Sequence, residues 1–374
     1  MNKRTGFFTI LILAVLLSGC GDQRIIERLG FLHTASFDLM PAENEHSEDQ
    51  LMVSLTYPII DAQLRKVRYE VFTEIAKTSK EAKMKISRKS ELRLVSGQMR
   101  STLYGLSLSR KGLWDHLDTL VRDPAISQRI KISVVNGNAN ELLKKKYPSH
   151  PATGQYIDRL LDKEARTNNV PEITLYEFAR DYFDDGIDAI APIIKDIGED
   201  VAIDGIALFD GDQYKTKLDV DQSIYFAFLR DSFKRGDLSI DLGDVGLSGE
   251  YVFSTLSNKR KVKVSRDSSG SFIVDIAMEI RGSVLEYTGA FKLSDQIERG
   301  KLEKLVSQHI SRKLDTIIKK LQKNNVDCIG VGKYVRNSMS YSNWSKLDWK
   351  SLYPQVVIRP AVQVTIKDYG KFER

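Results

Sequence analysis

The strongest constraint on the fold is an apolar stripe near the C-terminus. Apolar side chains recur there at steps of three and four residues, at Leu302, Leu305, Val306, Ile310, Leu314, Ile317, Ile318 and Leu321. This spacing predicts one long helix with a single apolar face. Such a helix has to bury that face, and we expect it to pack on a sheet of its own chain.

Strand patterns lie on both sides of this helix. Four strand-like stretches precede it, at residues 251–256, 260–264, 272–281 and 284–291. After it, apolar side chains alternate with polar ones at Val356, Ile358, Pro360, Val362, Val364 and Ile366. Because proline has no amide donor, Pro360 predicts an edge strand or a bulge. The C-terminal part is therefore predicted to be an antiparallel sheet packed by one long helix.

The N-terminal half alternates between strand and helix patterns. Strands are predicted at 29–38, 51–57, 93–97 and 131–135, with helical spacing at 106–122 and throughout 153–194. The sequence from Thr78 to Ala82 has the hydroxyl and glutamate of a helix start. This alternation favours a mixed α/β fold.

A hairpin and a glycine-rich segment lie in the middle of the chain. Residues 201–209 and 214–218 are predicted strands around the turn Asp210-Gly211-Asp212, followed by a helix at 221–234. Gly243, Gly246 and Gly249 predict a linker. We therefore expect an α+β, multidomain mixed α/β protein with three domains: an N-terminal region (29–198), a middle hairpin–helix domain (199–243) and a C-terminal domain (244–374).

The first twenty residues have the pattern of a bacterial lipoprotein leader. Lys3 and Arg4 precede an apolar run from Phe7 to Leu17, and Leu-Ser-Gly-Cys follows at 17–20. The run is too short to span a bilayer. We predict a signal peptide at 1–19, cleavage between Gly19 and Cys20, lipidation of Cys20 and a short tether at 20–28.

Charge and cysteine content restrict the function further. Loss of the leader reduces 56 basic side chains to 54, against 50 acidic ones, for a net charge of +4. Without a basic stripe interleaved with aromatic residues, nucleic acid is not an expected partner. Once Cys20 is acylated, Cys328 is the remaining cysteine, so no intramolecular disulfide can form. Its apolar neighbours predict a packed core thiol.

A search for catalytic and metal-binding motifs gives no candidate. The histidines, His33, His46, His116, His150 and His309, have no metal-ligand spacing, and no Gly-x-Ser-x-Gly motif occurs. The sequence Gly-Val-Gly-Lys at 330–333 is too short for a phosphate loop, and no helix is predicted after it. We interpret the acidic cluster Asp181, Asp184, Asp185 and Asp188 as a solvated helix face. No catalytic residue, cofactor or metal is therefore predicted.

Several short motifs follow one another in a particular order along the chain. They are Cys20 to Arg24, 29–31, the strand ending in Asp38, 78–82, 97–98, 111–113, 120–124, 134–139, 205–209, 327–332, Trp349, Tyr353-Pro354 and the last strand to Ile366. Together they resemble the Ger(x)C family of spore germination proteins, the C subunits of germinant receptors. The resemblance covers nearly the whole mature chain. Gly21 departs from the family, in which an aromatic residue often follows the lipidated cysteine, and this departure leaves the lipobox intact.

The resemblance implies a particular location and role. It implies a non-enzymatic lipoprotein on the outer face of the inner spore membrane, built from three mixed α/β domains. The family's C subunit works with two integral membrane subunits, A and B, in germination triggered by small nutrients.

Two other functions stay open from the residues alone. A lipid-anchored extracytoplasmic solute-binding protein would have a similar leader and length, although the C-terminal pattern lacks repeated βαβ units. An envelope hydrolase would need paired carboxylates, which meet in space rather than in sequence.

Overall fold

A computed structural model of the protein describes residues 28–41, 49–61 and 66–370. The predicted leader, its cleavage site at Gly19, the lipidation site Cys20 and most of the tether lie outside the described residues. The description therefore begins at Arg28, one residue before the first strand.

The N-terminal part alternates strands and helices, as the sequence predicts, but the predicted helical pattern at 153–194 is wrong at residues 190–194, which belong to a strand. Its strands are β1 (Leu29–Phe31), β2 (Thr34–Met40), β3 (Gln50–Asp61), β4 (Lys66–Ala76), β5 (Arg93–Val95), β6 (Ser101–Gly105), β7 (Lys131–Val135), β8 (Ile190–Asp196), β9 (Val201–Asp210) and β10 (Gln213–Leu218). Its helices are α1 (Ser79–Ser87), α2 (Leu106–Lys111), α3 (Trp114–Arg122), α4 (Ala139–Lys144), α5 (Thr153–Arg166), α6 (Leu175–Phe183) and α7 (Val220–Arg230).

Local sequence explains where several of these helices begin and end. The Thr78 hydroxyl accepts a hydrogen bond from the Glu81 amide at 3.2 Å, and the Glu81 carboxylate accepts one from the Lys77 amide, which confirms the predicted helix start. The helical pattern at 106–122 is split into α2 and α3 at Gly112, whose φ of 135° a side chain would not tolerate.

Eight strands form one mixed sheet in the order β10-β9-β8-β7-β6-β2-β3-β4. β2, β6, β7 and β8 run parallel, and the outer strands on both sides pair antiparallel. β1 and β5 form a separate parallel pair. Buried apolar side chains cover both faces of the large sheet, with α4 and α5 on one face and a core continuous with the C-terminal part on the other.

The predicted hairpin at 201–218 forms, and it extends the large sheet. β9 pairs with β8 on one side and with β10 on the other. The helix predicted at 221–234 ends earlier, at Arg230, where the Asn258 side-chain amide donates hydrogen bonds to the carbonyl groups of Phe228 and Asp231. The strands of the predicted middle domain are thus continuous with the N-terminal sheet.

The C-terminal part is a four-stranded sheet covered by a long helix, as predicted. Its elements are β11 (Leu238–Asp241), β12 (Glu250–Arg266), β13 (Phe272–Tyr287), α8 (Gln296–Lys323), α9 (Val331–Asn337), α10 (Tyr341–Trp344), α11 (Trp349–Leu352) and β14 (Val357–Asp368). The sheet order is β11-β12-β13-β14. The pairs are antiparallel except that β14 runs parallel to β13.

Two details of the predicted C-terminal sheet are wrong. The four stretches at 251–291 are two long strands, because the predicted gap near Ser257 is a bulge in β12, where Thr255 has a φ of 51°, and the gap near Gly282 lies within β13. The glycine-rich segment at 243–249, predicted as a linker, connects β11 to β12 of the same sheet through a 3-10 turn at Leu242–Val245. The division into three domains stays a prediction.

The long helix α8 buries the predicted stripe and begins at a cap. Leu302, Val306, Ile310, Leu314 and further stripe residues are buried against β14 and α7. The Asp295 carboxylate accepts hydrogen bonds from the amides of Ile297 and Glu298. Within the described ranges, no helix is long and apolar enough to cross a membrane.

The edge position predicted from Pro360 is confirmed. β14 forms one edge of its sheet. Along its outer side the amide of Val364 donates to the Ser307 hydroxyl at 3.0 Å, and that of Ile366 donates to the Glu303 carboxylate at 2.8 Å. Side chains of α8 and a proline thus occupy three positions of this edge, which hinders pairing with another chain.

Candidate functional site

The most elaborate polar site is a junction between the large sheet and the C-terminal part. We define it by three segments: residues 181–188, which comprise the end of α6 and the loop before β8, the connection at 326–333 after α8, and the segment 349–353 around α11. Asp188 and Asp327 connect the first two segments through two hydrogen bonds, in each of which one aspartate is the donor and the other the acceptor. The Asp327 amide donates to the Asp188 carboxylate at 2.6 Å, and the Asp188 amide donates to the Asp327 carbonyl at 3.1 Å.

The buried Asp327 carboxylate organises the connection. It accepts hydrogen bonds from the amides of Val331 at 2.9 Å and Gly332 at 2.7 Å, and from the Trp349 indole at 3.2 Å. Val331 and Gly332 are the first residues of α9, so Asp327 occupies the amide donors at that helix start. The prediction that no helix follows the sequence Gly-Val-Gly-Lys is therefore wrong, and the donors that a phosphate would need there are already used.

Burial determines how Asp327 titrates. Burial raises the pKa of Asp327 to about 7, the negative charge of Asp188 adds to this, and the amides of Gly332 and Val331 act in the opposite direction. Since the folded pKa lies above the unfolded value of about 3.9, the folded state holds this proton more tightly. The resulting stabilisation is complete below about pH 4 and is lost as the pH rises through 7.

This shift predicts a pH dependence of stability. As the pH rises from 5 to 8, we expect deprotonation of Asp327 to lower the free energy of unfolding by about 2.5 kcal/mol. The variant Asp327→Asn has no proton to lose, so its free energy of unfolding should change less over this pH range. Its stability at pH 5 should be lower than that of the parent, because the side-chain amide cannot accept all the hydrogen bonds that the carboxyl group accepts. Urea unfolding of both proteins at several pH values measures the two slopes. Equal slopes would contradict the assignment.

A second connection joins α6, α7 and the segment after α8. The Arg230 guanidinium, 9% exposed, donates to the Asp181 carboxylate, 2% exposed, at 2.6 Å. The same guanidinium donates to the Cys328 carbonyl. The thiol of Cys328 is buried near the carbonyls of Ala189 and Phe209, and burial raises its pKa well above the usual value. The prediction of a packed core thiol is confirmed.

The acidic cluster has a different role from the predicted one. Asp181 and Asp188 are buried, and the residues after 183 form a loop, so the solvated-helix interpretation is wrong. Lys350 donates to both carboxylate oxygens of Asp188 at 2.9 Å and to Asp210 at 2.8 Å. Arg336 pairs with Asp184 and Asp185. Asp184, Asp185 and Asp188 thus bind cationic side chains of the C-terminal part, whereas Asp181 pairs with Arg230 of α7.

Close backbone contact completes the junction. The Lys333 amide donates to the Gly186 carbonyl at 2.9 Å. A methyl group added at Gly332 would lie 2.6 Å from the Trp349 indole nitrogen and 2.8 Å from the Gly186 Cα atom. Two glycines therefore allow the segments to approach closely.

The usual ligand position of an α/β sheet is also filled by the chain itself. Ligands bind where the carboxyl ends of parallel strands meet a helix start. Here the buried carboxylate of Asp38, at the end of β2, accepts hydrogen bonds from the amides of Ala139 and Asn140 at the start of α4, at 2.8 and 2.7 Å. Burial raises the pKa of Asp38. This carboxylate occupies the donors that a bound anion would use.

The geometry of the junction suits mechanical connection better than catalysis. Its carboxylates each accept hydrogen bonds from cationic side chains, amides or indoles. Within 28–41, 49–61 and 66–370, no group of three or more histidine, cysteine or acidic side chains is arranged to hold a metal ion. Of the histidines, His309 is buried and contacts the Tyr225 hydroxyl at 3.3 Å, whereas His46 lies outside the described residues.

Comparisons with known proteins agree with this two-part architecture. A family model described as "Spore germination protein N-terminal domain" matches residues 22–196, and one described as "Spore germination B3/ GerAC like, C-terminal" matches residues 204–370. The two matches cover most of the chain and define its class as spore germination proteins. More particularly, the chain belongs to the Ger(x)C family, the C subunits of germinant receptors, which confirms the resemblance and gives the protein a role in spore germination.

Individual relatives extend over nearly the full length. Spore germination protein GerQC of Bacillus cereus is 25% identical over 97% of this chain and 98% of its own. Putative spore germination protein YfkR of Bacillus subtilis (strain 168) is 20% identical over 96% of this chain and 95% of its own. The crystal structure of the GerBC protein shares the fold, with a TM-score of 0.58 and 16% identity over 88% of this chain and 96% of that one. The family is not a known enzyme family.

Proposed function

We propose that the protein is a lipid-anchored, non-catalytic subunit of a nutrient germinant receptor that assembles with integral membrane A and B subunits. The observation that carries this proposal is the family match over 22–196 and 204–370 behind the sequence Leu-Ser-Gly-Cys at 17–20. Acyl chains on Cys20 would hold the body at the outer face of the inner spore membrane. The satisfied carboxylates of the junction support a structural role.

The anchor is tested by replacing Cys20. In the native spore-forming host we expect Cys20→Ala to move most of the protein from the membrane to the soluble fraction and to impair germination with nutrients. Cys328→Ala is the matched control, because it removes the other cysteine, which is buried in the body and should leave the protein on the membrane. Membrane retention and a normal nutrient response of Cys20→Ala would refute the anchor.

The receptor assignment is tested by co-purification. An affinity-tagged, lipidated protein is extracted from the inner spore membrane in mild detergent, and the proteins bound to it are identified. We expect polytopic receptor subunits, and fewer of them with Cys20→Ala. Recovery of a permease and an ATPase would favour the solute-binding alternative, as would saturable heat when the purified protein is titrated with nutrients. The occupied helix start at Asp38 argues against that alternative.

A further inference from the structure

The position of the first described residues defines which surface lies near the proposed anchor. The chain reaches Arg28 eight residues after Cys20 and enters β1 at Leu29, which pairs with Arg93 of β5. Eight extended residues span at most about 30 Å. If Cys20 is lipidated, the surface around β1 therefore lies close to the bilayer. This step rests on the proposed function.

A two-stranded ribbon, formed by residues 57–61 of β3 and 66–70 of β4, projects from the large sheet at the amino end of β2. β3 pairs with β2 up to Thr56, which lies opposite Thr34, the first residue of β2. From Tyr57 onwards β3 pairs with β4 alone, so this part extends beyond the amino end of β2. Pro58 of the ribbon and Phe31 of β1 line the same cleft. The ribbon and the tethered start of the chain are thus neighbours.

The ribbon carries both apolar and basic side chains. Val67 is 56% exposed, and the neighbouring Arg68 side chain is 68% exposed. Arg68 pairs with Glu70, but solvent-exposed pairs of this kind are weak and open readily to other anions. On the backbone, Arg68 lies opposite Ile59, which is half-buried. An exposed valine next to an exposed arginine is suited to the boundary between lipid head groups and acyl chains.

The adjacent cleft adds basic groups. It has a volume of about 570 Å³, and Arg100 and Arg159 are among the residues that line it. Both side chains are exposed, as is that of Arg93, and none of these three arginines forms an ion pair with another residue in the described ranges. Guanidinium groups bind phosphate oxygens through paired hydrogen bonds. Lys131 is not available in this way because Asp158 and Asp162 neutralise it.

From these observations we propose that the β3–β4 ribbon and the arginines of the neighbouring cleft dock on an anionic phospholipid bilayer beside the lipid anchor. The bilayer is the occupant that fits because the surface combines basic side chains with the exposed Val67 and lies next to the proposed anchor. This contact orients the body on the membrane, whereas acyl chains alone would let it rotate. The amino-terminal ends of the parallel strands then face the lipid.

Vesicle binding of the mature chain without acyl groups tests this surface. The protein from residue 20 with Cys20→Ser is sedimented with vesicles of phosphatidylglycerol and phosphatidylcholine, or of phosphatidylcholine alone. We expect binding to the anionic vesicles only, weakening as salt is added. Each arginine near an anionic surface contributes about a fivefold gain in affinity, so Arg68→Glu, Arg100→Glu and Arg159→Glu together should weaken binding at least about a hundredfold.

A matched variant separates this surface from general positive charge. Lys259→Glu, Lys261→Glu and Lys263→Glu make the same change in net charge on exposed positions of β12. We expect this control to bind anionic vesicles nearly as well as the parent chain. Circular dichroism shows whether both triple variants are folded. A larger loss in the β12 control than in the arginine variant would overturn the proposal.

Two further outcomes are informative. If the protein does not sediment with anionic vesicles but binds inorganic phosphate at constant ionic strength, the arginines form a site for free phosphate and the bilayer proposal is wrong. Equal binding to both vesicle types also refutes it. Neither result affects the anchor, because retention of the lipidated chain on membranes and its loss with Cys20→Ala are measured separately.

Discussion

Replacement of Arg230 by methionine is expected to lower the free energy of unfolding by about 3–5 kcal/mol. The substitution keeps much of the side-chain volume but leaves the buried Asp181 carboxylate without its buried partner. Arg180 also pairs with Asp181, but its own side chain is about half exposed and its attraction is screened by solvent. The Cys328 carbonyl loses its donor as well.

Two variants make this prediction specific. Arg122→Met breaks an exposed pair with Asp118 within α3 and should cost less than about 1 kcal/mol. Combining Asp181→Leu with Arg230→Met removes both buried charges, so the double variant should recover much of the loss. Urea unfolding of the purified chains gives the comparison. If Arg230→Met costs no more than Arg122→Met, the buried pair does not hold the junction together.

A loss of stability of this size in Arg230→Met should also affect the function of the protein in spores. Folded proteins are stable by only about 5–15 kcal/mol, so the variant should be depleted in spores. The Arg122→Met spores should germinate normally. This separates an effect of the junction from a general effect of removing an arginine.

Local periodicity explains why much of the fold could be predicted. The stripe on α8, the alternation in β14 and the cap at Thr78 depend on residues within a few positions of one another. Pairing between distant strands leaves no such pattern. Nothing in the sequence of β14 indicates that it runs parallel to β13. The bulge at Thr255 interrupts the alternating pattern of β12, so the sequence does not show that β12 is one continuous strand.

The junction was missed for a related physical reason. Asp181 and Asp188 have the sequence neighbours of surface acids, and the cationic partners that connect them to other segments lie far away in the chain. Arg230 follows Asp181 by 49 residues, and Lys350 follows Asp188 by 162. The segment at 327–332 resembles a family motif, but its role as a helix cap and close backbone contact depends on the fold.

Replacement of Gly332 by alanine is expected to lower the free energy of unfolding by about 3 kcal/mol. The added methyl group would meet the Trp349 indole at 2.6 Å and the backbone of Gly186 at 2.8 Å, so a backbone segment or the indole has to move. Either movement lengthens the hydrogen bonds to Asp327, which tie α9 and α11 to the connection after α8.

Gly300→Ala is the matched control for this change, because the same methyl group meets nothing within 4 Å on the exposed side of α8. Alanine favours helix over glycine by about 0.5–1 kcal/mol, so this control should be stabilised. The two glycine-to-alanine changes are therefore expected to shift the urea midpoint in opposite directions. A Gly332→Ala protein as stable as the parent would mean that the two segments can separate at little cost, and that the polar contacts between Asp188, Asp327 and Lys350 hold the junction without close backbone packing.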